Sequence, residues 1–438
     1  MSHFPMELAG VAGFVVTLVL IALRVPVAVA MGLVGVFGSI PLAGWDAVKF
    51  MIGTKPFEAV FPYGLSVVPL FVFMGVFAAH AGLSRNLYEG VYALIGHVRG
   101  GLALATVGAC AAFGAICGSS LATAATMSRV SLPEMRRHGY SDSLASASVA
   151  AGGTLGVLIP PSIILVIYGL LTQQSIGALF AAALVPGVLG TVLYMLSISV
   201  QTAVKPSLGP AGERRDRRRR IQALLRTWDV ALLFVLVIGG IYAGFFSPTE
   251  AAAVGAAGAF TFAAVRGRLT RRVLLDGILE TATTTGMIFF ILIGAALFNF
   301  FIESSNLPQF LVGLVKDLAW PPFAVMLVLL AFYLVLGCFM DSLSMMLLTV
   351  PFVFPIVMQL GYDPIWFGIV LVTIIELGLI TPPIGMNLFV IHAASRDLPL
   401  QRIMAGILPF ILADVVRVAL LLAFPALALW LPRVLGAG

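Results

Sequence analysis

Asp341 is the side chain best placed to do chemistry in this sequence. It stands in GCFMDSLS, inside an apolar run. An acidic residue at bilayer depth costs about 2.5–3.5 kcal/mol and marks a functional site by default. Its use would be to bind a sodium ion or a proton; the plainer use is a hydrogen bond that closes a hairpin tip. A second stretch, GAICGSSLATAAT, offers Ser119, Ser120, Thr123 and Thr126. Two more stretches, LGVLIPPSIILVIYG from Leu155 and LGLITPPIGMNLFVI from Leu377, each hold a Pro-Pro pair in an apolar run. Proline lacks a backbone donor and breaks a helix. Unwound carbonyls at such a break suit a cation, and the N-terminus of the next half-helix suits an anion. A packing kink is the plainer reading of either pair taken alone.

The elements that must position these groups are membrane helices. The chain has 438 residues, 61% hydrophobic and only 10% charged, against about 25% charged in soluble domains. At roughly 20 residues per span, the length allows on the order of ten to fourteen crossings. Cys110, Cys117 and Cys338 lie in apolar runs and read as small packing residues. The first apolar run starts near Leu8 with no basic residue before it, so it reads as a retained span with its N-terminus outside.

Pro161 and Pro383 are 222 positions apart, and the same offset relates Pro26 to Pro248, Ser120 to Ser342, Pro133 to Pro355 and Gly156 to Gly378. This register predicts an internal duplication. The first repeat covers 1–204, with scaffold spans about 8–83, a hairpin about 100–128 and a broken helix about 143–170. A basic linker follows at 205–227. The second repeat covers 228–438, with scaffold spans about 228–302, a hairpin about 322–350 and a broken helix about 366–394. Final spans are expected at about 176–200 and 404–430.

Charge orients these elements. If both hairpins are re-entrant, each half crosses five times and the halves are inverted. The arginine-rich loops between Arg24 and Arg402 then share one face with the linker, and the other keeps Lys49, Lys55, Lys316 and Arg433. The positive-inside rule makes the linker cytoplasmic and both termini external. The net charge of +6 sits mostly in the linker, where it suits anionic lipid better than nucleic acid.

Other polar residues are ambiguous. Glu376 takes the position of Thr154 in the other half, and either carries a proton or caps local backbone. Asp414 and Arg417, three apart, share a helical face and neutralise each other. Asn387 lies four residues past Pro383 and could face the site. No HExxH, Walker or CxxC pattern occurs, so energy must come from an ion gradient or a partner.

At GAICGSSLATAAT, LPEMRRHGYS, GGTLGVLIPPSI and ELGLITPPIGMN, the chain resembles the large membrane subunit of the tripartite ATP-independent periplasmic (TRAP) transporters, over essentially its whole length. The resemblance implies an elevator-type ion transporter fold and sodium-driven import of organic acids. It implies two partners, a small four-helix membrane subunit on a separate polypeptide and a periplasmic substrate-binding protein. It implies one sodium site at Ser119, Gly156, Ile159 and Pro161 and another at Asp341, Gly378, Thr381 and Pro383. Substrate would lie between them, near Ser120 and Asn387.

The expected protein is therefore an all-α, polytopic, sodium-coupled importer subunit of the bacterial inner membrane, not an enzyme. It would move a dicarboxylate, a sialic acid or a similar carboxylate, with sodium as coupling ion and no other cofactor. Two alternatives stay open: a stand-alone dicarboxylate–sodium or proton symporter, and an intramembrane hydrolase using Ser119 or Ser120.

Overall fold

The computed structural model describes residues 6–212 and 216–436. The expected external termini, at 1–5 and 437–438, lie outside the described residues. Among the described residues every regular element is helical.

The first half runs α1 Met6–Ala22, α2 Val27–Ala43, α3 Trp45–Val60, α4 Val67–His80, α5 Leu83–Ile95, α6 Gly101–Cys117, α7 Ser120–Arg137, α8 Asp142–Leu158, α9 Ile163–Thr172 and α10 Ile176–Val204. A short α11, Arg217–Leu225, follows in the basic linker. The second half runs α12 Trp228–Phe234, a π-helical turn at Val235–Gly239, α13 Gly240–Tyr242, α14 Pro248–Val265, α15 Arg271–Ser304, α16 Leu307–Leu318, α17 Pro322–Gly337, α18 Ser342–Gln359, α19 Pro364–Ile380, α20 Met386–Ala394, α21 Leu400–Ala423 and α22 Ala426–Val434. Helices α7 and α18 share both limits at an offset of 222, and so do α8 and α19.

By length and composition five helices can cross a membrane. The count is seven if two bent pairs are each one span, and α8 with α9 is one of those pairs, bent by 40°. Further apolar helices, α1, α2, α6, α17 and α19, are shorter.

Side-chain caps set many of the limits. Ser119 accepts from Ala122 N and starts α7. Asp341 accepts from Ser344 N and starts α18. Ser141 and Asp363 do the same for α8 and α19, and Ser162 for α9. Each oxygen satisfies one of the orphan N–H groups of a first turn.

Small residues set the packing. A methyl group built on Gly35 of α2 would meet the Leu297 carbonyl carbon of α15 at 2.5 Å. In the site itself, Gly114 of α6 lies against Gly156 of α8, and a methyl group on Gly378 of α19 would be 2.6 Å from Gly337 Cα of α17. Such contacts let helix backbones approach where lipid gives no hydrophobic drive.

Several limits differ from the sequence reading. α3 is a separate helix inside the expected 8–83 scaffold region, and α5 and α16 fill the stretches between scaffold and hairpin in each half. The end of the scaffold region expected at 228–302 is the 34-residue α15. The last span, about 404–430, is two helices, because Phe424 before Pro425 is extended (φ −130°, ψ 77°), as the residue before a proline prefers. The hairpin drafted at 322–350 continues to Gln359, and the one at 100–128 to Arg137.

Candidate functional site

The turn joining α6 to α7 and the turn joining α17 to α18 open onto one cavity of about 180 Å³. Ser119, Ser120 and Thr126 line it from α7 and its cap, Asp341 and Ser342 from α18 and its cap. Ile163 and Ile164 of α9 contribute from beyond the first proline break. Three helix first turns therefore face the cavity, and their free N–H groups and dipole ends favour negative charge. The opposing wall comes from α4 and α15 and includes Gly75, Glu280 and Thr284.

The remaining singled-out residues stand behind this lining. Ile159 and Thr381 are the C-cap residues of α8 and α19, both extended (φ −78°, ψ 121° and φ −87°, ψ 125°). The Pro160–Pro161 and Pro382–Pro383 peptide bonds are both cis. The Pro161 carbonyl oxygen faces the first hairpin tip, 2.9 Å from a methyl group built on Gly118, which needs its positive φ of 63° there. Thr381 Oγ1 donates to Leu377 O at 2.6 Å. The two breaks are not alike: Pro161 is buried, Pro383 exposed.

Asn387, in the first turn of α20, is fully buried. Its Nδ2 donates to Ser120 Oγ at 2.8 Å and to Ala150 O at 3.2 Å. The second broken helix is thus tied to the tip of the first hairpin. Ser342 Oγ donates to Glu376 Oε1 at 3.0 Å, so Glu376 holds the second tip through a side chain and does not cap backbone. Asp341 Oδ2 accepts from Ser344 N at 3.0 Å, the tip-closing bond of the plainer reading, and this bond uses only one of its two oxygens.

Several buried oxygens lack a partner: Thr123 Oγ1, Ser344 Oγ and Glu376 Oε2. Thr123 Oγ1 lies 2.7 Å from a methyl group built on Gly156. Unpaired oxygens on buried side chains are costly, and hard oxygen donors are what an alkali cation takes. The residues around both tips therefore fit a sodium ion.

A second buried polar chain sits behind the first. Thr154 Oγ1 lies 3.1 Å from Tyr194 Oη, which donates to Asp414 Oδ2 at 2.5 Å. Asp414 Oδ1 is 2.8 Å from Arg417 Nη2, and the pair is buried. This confirms that Asp414 and Arg417 neutralise each other and shows what they brace: α8, α10 and α21. Cys110, Cys117 and Cys338 are buried and unpaired.

Sequence reasoning missed Gly114, Gly337 and Glu280. A small residue one turn before each hairpin tip was the available signal for the glycines. Glu280 gave none, because only the fold brings it to the cavity.

Among the described residues, apolar helices surround a largely apolar cavity with polar side chains at two hairpin tips, the architecture of a multi-pass membrane protein. The YdaH transporter of Alcanivorax borkumensis shares its fold, with a TM-score of 0.59 at 16% identity over 88% of this chain and 90% of that one. So does MtrF of Neisseria gonorrhoeae, at 0.51 and 15% over 89% and 85%. At such identities the likeness speaks to fold alone. The chain belongs to the tripartite ATP-independent periplasmic transporter family as a large permease: the family model for the DctM component matches residues 14–427.

Among curated relatives, the C4-dicarboxylate TRAP transporter large permease DctM of Pseudomonas aeruginosa is 38% identical over 93% of this chain and 94% of its own length. The sialic acid permease SiaM of Vibrio cholerae is 33% identical over 85% and 86%. The ectoine/5-hydroxyectoine permease UehC of Ruegeria pomeroyi is 33% identical over 95% and 97%. The protein is a transporter permease and not an enzyme.

Proposed function

We propose that this permease is a sodium-coupled importer of an organic acid and works by an elevator motion. The observation that carries the reading is the meeting of two hairpin tips and the helix that follows the first proline break around one cavity, with a carboxylate at one tip. The helix limits repeated at 222 support two inverted repeats, 1–204 and 228–438, joined by the 205–227 linker.

In this reading one sodium ion is held at Ser119, Gly156, Ile159 and Pro161, with Thr123 beside it. The other is held at Asp341, Gly378, Thr381 and Pro383. The carboxylate of the substrate lies between them near Ser120 and Asn387, its charge offset by the two cations and the helix ends. The first two spans of each half form the fixed scaffold, and the hairpins, broken helices and last spans move.

Family membership supports two partners, a small membrane subunit and a periplasmic binding protein that delivers substrate. It also supports an inner-membrane location, with a cytoplasmic linker and periplasmic termini. The names of the relatives support a substrate of the C4-dicarboxylate, sialic acid or similar carboxylate kind.

The test is uptake by the permease reconstituted with both partners. A sodium gradient should be required, and Asp341→Ala should abolish it. Normal sodium-free transport by that variant would overturn the coupling assignment. Uptake by the permease alone would favour a stand-alone symporter.

A further inference from the structure

The transport reading leaves one wall of the cavity without a role. Helix α15 presents Glu280, Thr284, Met287 and Ile288 to it, a spacing of i, i+4, i+7 and i+8 that forms one stripe. The Glu280 side chain is 60% exposed, and its one charged neighbour among the described residues is His80, whose Nε2 at 3.7 Å pairs with it only when protonated. Among the described residues lining the cavity, Glu280 and Asp341 are the charged ones, and both are acidic. Asp341 already caps α18 and is the charge a coupling ion would meet. Glu280 is left to face the solute.

The cavity is therefore polarised. The first turns of α7, α9 and α18 favour an anion, and α15 offers a fixed carboxylate. A solute with carboxylates at both ends would set one of them against Glu280, and like charges brought together disfavour binding. The volume of about 180 Å³ lies below the roughly 300–1,000 Å³ of drug-sized sites, so the solute is small.

We propose that the substrate is zwitterionic: its carboxylate lies toward the hairpin tips, and a cationic nitrogen, ammonium or amidinium, lies toward Glu280. The proposal rests on the transport reading and narrows its substrate class. Glu280 is a specificity-determining residue and takes no part in holding sodium.

The experiment compares γ-aminobutyrate with succinate. Both have four carbons, and they differ in whether an ammonium or a second carboxylate ends the chain. Binding is measured on the purified complex with its small membrane subunit, with and without sodium, for wild type, Glu280→Gln and Glu280→Lys. Because Glu280 is exposed, these variants should fold, and size-exclusion profiles check it. The expected result is sodium-dependent preference for γ-aminobutyrate in wild type, a loss of at least about tenfold in Glu280→Gln, and a reversed preference in Glu280→Lys. Sodium-dependent binding with the same preference in all three proteins overturns this inference and leaves the transport reading intact. Absence of sodium-dependent binding of either solute in all three proteins also overturns this inference, while the transport reading is judged separately by uptake with both partners.

Discussion

Asn387 Nδ2 donates to Ser120 Oγ across 2.8 Å. The bond joins residues 267 apart in sequence and is buried away from solvent. It ties the helix after the second proline break to the tip of the first hairpin.

Replacing Asn387 by Ala takes the partner from Ser120 Oγ and removes a second bond to Ala150 O, which keeps its partner within α8. A buried group left unpaired costs about 1–3 kcal/mol. Asn387→Ala should lower the melting temperature modestly and cut uptake by more than tenfold. Fluorescence-detected size-exclusion and uptake in proteoliposomes read the two effects separately.

Asp341 has two jobs, a cap and a charge, and substitutions separate them. Asn caps as well as Asp does but carries no charge. Asp341→Asn should keep the melting temperature of the wild type and lose sodium activation of uptake. Asp341→Ala should lose both. If Asp341→Asn retains the sodium response, the charge has no coupling role.

Gly378 and Gly156 admit no side chain without movement. Gly378→Ala would set its Cβ 2.6 Å from Gly337 Cα, and Gly156→Ala would set it 2.7 Å from Thr123 Oγ1. Overpacking of this kind costs about 1–3 kcal/mol. Each variant should assemble with reduced thermal stability and raise the sodium concentration needed for half-maximal uptake.

The Asp414–Arg417 pair answers to a different rule. Removing one partner of a buried pair costs about 3–5 kcal/mol, whereas apolar replacement of both is often neutral. Asp414→Ala should therefore destabilise the permease severely, and Asp414→Leu with Arg417→Leu should recover most of the loss. Thermal denaturation of the three proteins checks the order.

Arg136 ties the end of α7 to Asp142 at 3.1 Å and to Asp397 at 2.6 Å. Its hydrogen bond holds the Asp397 carboxyl below the usual carboxylate range. A depressed pKa contributes stability above the unfolded value of about 3.9, and that stability fades as pH falls through the folded one. Arg136→Ala should therefore narrow the difference between neutral and strongly acidic stability. The two melting curves should converge below about pH 4.

Much of the helical frame was legible because proline, glycine and caps punctuate the chain sharply. Ser119 and Asp341 each follow the end of an apolar run, and their helices begin at the next residue. The α8 and α19 limits follow equally from Ser141 and Asp363 before them and the Pro-Pro pairs after. α3 was hidden because Lys49, Lys55 and Glu58 dilute its apolar signal. α5 carries Arg85 and Glu89 in the same way. The polar run Thr281–Thr285 breaks the apolar signal of α15, so its full length was not legible although no proline interrupts it. Close approaches such as Gly114 to Gly156 were out of reach, since they arise only when helices distant in sequence cross.

The length of α15 has a consequence for the permeability barrier itself. Thirty-four residues at about 1.5 Å each span roughly 51 Å, against about 30 Å of hydrocarbon. Its apolar stretch runs from Met287 to Phe301, so the lipid covers that part and leaves the turns around Glu280 standing in water. The α15 wall of the cavity thus straddles the edge of the hydrocarbon, with Glu280 and Thr284 on the water side and Met287 and Ile288 at the lipid side.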